Sequence, residues 1–208
     1  MYAFTLFLLP LAVPALAAWF PRVGQHPYRM AVRGGLSALP AILVWLALGF
    51  AYRPIWGSLI VMPIFLLRFF LIPCGLMAGA YALTSGLRDL ERGIGYADLL
   101  SFNLGFMAIF NIAHAIALWG DRYYAYTLVL PVLLGATALG FPTLFEEAIR
   151  DGMPTGLRWL AAALGGLILA SLALSLLFLR LEWLGLVLSA GFAAGSVFLG
   201  IKRLSRVR

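Results

Sequence analysis

The residues best suited to chemistry in this chain sit where chemistry is least expected, inside long apolar stretches. Asn103, Met107, Asn111 and His114 fall within roughly 80° of one another on a helix through residues 96–118, with Phe110 on the same side. Carboxamides donate and accept hydrogen bonds, and an imidazole can take or give a proton. Arg68 interrupts a second apolar block at residues 55–84. Polar and charged groups inside a membrane span are costly and mark functional sites by default. The stripe Asn103, Asn111, His114 together with Arg68 is therefore the candidate substrate or polar intramembrane site.

The elements that must position these groups follow from composition. Hydrophobic residues make up 63% of the 208, the mean hydropathy is +1.00, and about 20 apolar residues span a bilayer as a helix. The sequence predicts an all-α, polytopic transmembrane bundle in one domain over residues 1–208, with seven spans at about 2–20, 36–52, 57–83, 96–118, 124–141, 159–179 and 183–201. No polar stretch is long enough for a separate soluble domain. Residues 1–18 lack a basic start, and Pro10 and Pro14 interrupt them, so they read as a span rather than a cleaved leader. The third block exceeds a bilayer's needs; one tilted helix, or a re-entrant piece to Leu67 followed by a shorter span, both fit.

Charge sets the orientation. Eleven of the fifteen basic residues fall in alternate gaps between spans, and only Arg53, Arg122 and Arg180 in the others. Basic loops stay on the cytoplasmic side, which puts the N-terminus outside and the C-terminus in the cytosol, in a cell inner (plasma) membrane. Arg68 and the Asn111–His114 end of the stripe then lie at similar depth below the outer surface. They would share a pocket in which Arg68 hydrogen-bonds Asn111 or His114. No carboxylate is placed within a span to neutralise Arg68, which points to an anionic ligand, a lipid phosphate, or snorkelling to the surface.

Outside the spans, Thr143-Leu144-Phe145-Glu146 has the capping-box pattern and Gly152 a stop signal, predicting a short helix over 144–151. A similar one fits residues 86–92. Arg88, Arg92, Glu146, Glu147 and Arg150 on these helices form a candidate docking surface for a membrane or cytosolic protein. Lys202, Arg203, Arg206 and Arg208 are candidate contacts to anionic lipid head groups. Nucleic acid is not the expected counter-charge, because the net +7 is dispersed in juxtamembrane clusters.

Catalytic patterns are missing. There is no Gly-x-Ser-x-Gly turn, His-Glu-x-x-His helix or Walker loop. Two histidines far apart and one cysteine, Cys74, leave no metal site or cofactor expected. Glu146-Glu147-Ala148-Ile149-Arg150 superficially resembles the paired-Glu and Arg motif of the CAAX-protease-like intramembrane family. Here two residues rather than three separate the second Glu from the Arg, and the later histidine motifs have no counterpart, so no activity carries over. The reading is a transport or membrane-complex subunit without enzyme activity of its own. The alternatives are an intramembrane lipid-acting enzyme with His114 as base, and a structural scaffold.

Overall fold

The computed structural model describes residues 27–49, 61–86, 91, 95–117 and 124–207, and every element among them is a helix. These are α1 (Pro27–Gly49), α2 (Val61–Phe65), a π-helical turn (Leu66–Leu71), α3 (Ile72–Ser85), α4 (Tyr96–Ala117), α5 (Tyr124–Asp151), α6 (Gly156–Phe178) and α7 (Glu182–Val207). The segment α2–π–α3 is continuous, so among the described residues six helices are long and apolar enough to cross a membrane. This is a polytopic helix bundle. The first expected span, 2–20, lies outside the described residues.

Several boundaries differ from expectation, each for a local reason. Arg29 and Arg33 lie on α1 itself rather than in a loop. α5 does not stop near 141 to restart as a short helix: it runs through Pro142 to Asp151. The Thr143 hydroxyl hydrogen-bonds the Tyr96 hydroxyl at 3.0 Å instead of capping a helix start. Gly152, at φ +63°, does end the helix. α7 likewise continues through Lys202 and Arg203 to Val207.

α6 and α7 reverse over Leu179–Leu181 as expected, by a Schellman closure. The N–H of Leu181 bonds Leu176 O and that of Arg180 bonds Leu177 O, at 2.8 and 3.2 Å. Arg180 takes the left-handed position at φ 64° that glycine usually fills.

α4 is the axis of the molecule. It is 78% buried, against 22% for α1 and for α7. Its partner α1 crosses it at glycines: a methyl group on Gly34 would overlap the Phe102 carbonyl, and one on Gly105 would overlap the Ala31 carbonyl. Small residues at such a crossing let backbones approach, a main source of helix association in lipid. Further along, α4 packs on α5, which joins α6 and α7 in a second group of helices. Small residues at 162, 166, 191 and 195 line a groove between α5, α6 and α7.

Gly105→Ala should destabilise the detergent-solubilised protein by about 1–3 kcal/mol, as over-packing does. Gly191→Ala, with nothing within 4 Å of the added methyl, should be neutral. Thermal unfolding of both variants checks this; equal melting temperatures would refute the glycine crossing as the α1–α4 contact.

Candidate functional site

The site begins with a backbone problem at Arg68. Ile72 N–H bonds Leu67 O, five residues back, which is the π register. In an α-helix that N–H would have served Arg68 O. The next possible donor, five residues on, is Pro73, which has none. Arg68 O thus loses both backbone donors that could reach it, and hydrocarbon offers no water to replace them. The Trp45 indole on α1 supplies the bond: Nε1 donates to Arg68 O at 2.7 Å. Upstream, the Ser171 hydroxyl on α6 also donates to Met62 O at 2.7 Å, tying α6 to α2.

Trp45 then organises an aromatic chamber. Its ring lies 4.3 Å from the His114 ring and 5.6 Å from that of Phe110. Phe69 and Phe110 close on His114 at 5.4 and 5.0 Å. The Arg68 guanidinium stands over Trp45 and Phe69 at 5.4 and 5.5 Å, within cation–π range. Arg68 and His114 therefore come to one depth, as expected. The hydrogen bond expected from Arg68 to Asn111 or His114 is not formed: Arg68 turns to the aromatic faces.

His114 Nδ1 is 3.1 Å from Phe110 O. A carbonyl only accepts, so Nδ1 donates, and on a neutral ring Nε2 is left as an acceptor. Nε2 is buried without a hydrogen-bond partner, and so are both polar atoms of Asn111 and of Asn103. All three residues are 1% exposed. Asn111 and His114 are one turn apart and belong together. Asn103 lies about 12 Å further along α4 by helix rise, beyond their reach. The geometry thus gathers Arg68 and His114 around Trp45 and Phe69, with Asn111 one turn from His114 on α4, and leaves Asn103 as a separate buried amide.

A donor on a ligand could satisfy His114 Nε2, Asn111 could give one bond and take another, and Arg68 supplies a nearby positive charge. Among the described residues no group of three or more His, Cys, Asp or Glu side chains converges as a metal site.

Three of the residues expected at docking and lipid contacts, Glu146, Glu147 and Arg203, form a second buried cluster, at the end that the arginine pattern assigns to the cytosol. Arg203 binds both oxygens of Glu146 at 2.7 and 2.8 Å and approaches Glu147 at 3.7 Å. Its guanidinium stands 5.7 Å over the Tyr96 ring. Arg150 pairs with Glu147 and, at 3.5 Å, Asp151. Glu146 has no exposed surface and Arg203 only 8%. Both are turned away from the surfaces where docking and head-group contact were expected, while Arg150 and Lys202 remain exposed. Arg88, Arg92 and Arg208 lie outside the described residues, as does the Arg206 side chain.

Trp45 and the Glu146–Arg203 pair escape a sequence reading. The signal for the first is Pro73 five residues after Arg68, which orphans a carbonyl in the π register. The second has only a weak signal, an acidic pair one turn past an intrahelical proline.

Trp45→Phe should cost about 1–3 kcal/mol by stranding the Arg68 carbonyl, and markedly less in a Pro73→Ala background, where an α register becomes possible. Additive effects in that double-mutant cycle would refute the account of the π turn. Glu146→Ala should cost about 3–5 kcal/mol by leaving Arg203 without its main partner, whereas Glu146→Leu with Arg203→Met should be near neutral. Thermal unfolding in detergent reads both. No family model matches this chain, and the comparisons with curated proteins and with solved structures find no match either.

Proposed function

We propose that this integral membrane protein is a non-enzymatic transport or membrane-complex subunit of the inner (plasma) membrane. A small polar solute with an anionic group engages Asn111 and His114 beside Arg68. The supporting observation is the set of orphaned polar atoms, fully buried, on the most enclosed span. Each such atom costs about 1–3 kcal/mol if nothing pairs with it. A ligand bearing one donor and one acceptor recovers much of that cost only while bound, which is the energetic profile of a binding site. Anionic lipids and a protein partner complete the proposed setting.

The test exploits that profile. Asn111→Leu removes orphaned groups and so should raise thermal stability by about 1 kcal/mol while abolishing function. In host cells lacking the protein, metabolite profiling of spent medium should reveal a polar solute left unconsumed. Wild-type protein should restore its clearance and Asn111→Leu should not, at equal abundance in the membrane. An unchanged profile in the deletion strain, or full restoration by Asn111→Leu, overturns the proposal.

A further inference from the structure

The groove between α5, α6 and α7 has a volume of about 390 Å³, within the range of small-ligand sites. Its floor and walls are apolar, with Gly166, Gly191 and Gly195 where side chains would otherwise fill it and Phe141, Phe192 and Leu199 along the sides. A Cβ on Gly191 or Gly195 would meet nothing within 4 Å, so the space above both is open. The lining residues lie within three helices long and apolar enough to cross a membrane, and Thr137 and Ser196 alone among them carry hydroxyls, so the groove offers water few polar partners.

One end of the groove is charged. Leu199 lines it, and Lys202 follows three residues later on α7; Ala162 lines it, and Arg158 precedes it by four on α6. The tight reversal at Leu179–Leu181 makes these helices antiparallel, so both cations flank the same end, about one helical turn beyond it. Both are exposed. Three carboxylates of α5 at that end bond within the chain: Glu146 with Arg203, Glu147 with Arg150, and Asp151 with the Trp159 indole at 2.8 Å. The groove therefore joins an acyl-sized apolar trough to a pair of exposed cations at head-group distance.

We propose that this groove holds one acyl chain of an anionic phospholipid, with the head-group phosphate at Lys202 and Arg158, as a resident lipid of the folded protein. The inference does not depend on the polar site around His114, which lies on other helices. The lipid bridges the three helices whose small residues leave them incompletely packed.

Native mass spectrometry of the full chain, delipidated in mild detergent and titrated with phosphatidylglycerol or with phosphatidylcholine of the same acyl chains, tests it. Wild type should bind one phosphatidylglycerol per chain, at least five-fold more tightly than phosphatidylcholine. Filling the groove from either side, by Gly191→Leu with Gly195→Leu or by Ala162→Leu, should abolish that adduct; melting temperatures identify any variant that fails to fold. Lys202→Gln with Arg158→Gln should bring the two lipids to equal affinity. Undiminished phosphatidylglycerol binding by a folded groove-filled variant, no head-group preference in wild type, or loss of a dimer rather than of lipid on filling the groove would overturn the proposal.

Discussion

A bilayer interior supplies no hydrogen-bond partners, and the described fold is arranged around that constraint. At Arg68 the backbone is caught between a register that uses Ile72 elsewhere and a proline that cannot donate. The only groups able to meet the stranded carbonyl are side chains of neighbouring helices, and Trp45 does so at 2.7 Å. That bond fixes the indole, and the indole fixes the chamber: His114 packs on one part of its surface and the Arg68 guanidinium on another. A main-chain defect in one span thus determines where the side chains of two others stand. π turns recur at functional sites, and here the link is mechanical, because the shifted register presents both the carbonyl and the arginine to the same partner.

The same low dielectric treats the two buried polar clusters in opposite ways. Around Glu146 the charges are matched: two carboxylate oxygens meet two guanidinium nitrogens, and Glu147 is shared between Arg203 and Arg150. Such a cluster ties the last turn of α7 to α5 and gives it one geometry. Around His114, the imidazole Nε2 and both polar atoms of Asn111 have no hydrogen-bond partner among the described residues, although they are equally buried. Selection for stability alone would replace such groups with aliphatic side chains, since removing a buried unsatisfied polar atom is neutral or favourable. The contrast separates a cluster that holds the bundle together from one that weakens it.

Much of the architecture was legible because length and hydropathy constrain a membrane helix strongly. The stripe on α4 was readable from spacing, and the common depth of Arg68 and His114 followed from helix rise and an alternating topology. What could not be read was pairwise. Glu146 and Arg203 are 57 residues apart, and nothing local distinguishes an arginine that turns inward from Lys202 beside it, which stays exposed. Thr143 and Glu146 match a capping box in sequence, yet Tyr96 and Arg203 claim their side chains first. Glycine patterns are equally ambiguous: those on α6 and α7 line a groove, while Gly34 on α1 and Gly105 on α4, with no obvious motif, let those two backbones meet.

The position of α4 follows from its own side chains. It is the least apolar of the six spans and the most enclosed. A helix carrying Asn103, Asn111 and His114 on one side could meet lipid through the opposite side, but Phe102 there, and Phe106 and Phe110 between it and the stripe, are also buried. Those rings pack along α4 while its glycine brings α1 close, so the helix is surrounded by protein on every side. Enclosure on all sides is more than three polar residues need to avoid lipid, since a single neighbouring helix could cover one stripe. It is what a site needs to hold unpaired donors and acceptors in fixed positions, because each rotamer is then locked by packing rather than by the hydrogen bonds it lacks. The cost of those missing bonds is spread over the aromatic core, and the groove-lined α5–α7 group, where packing is looser, carries none of them.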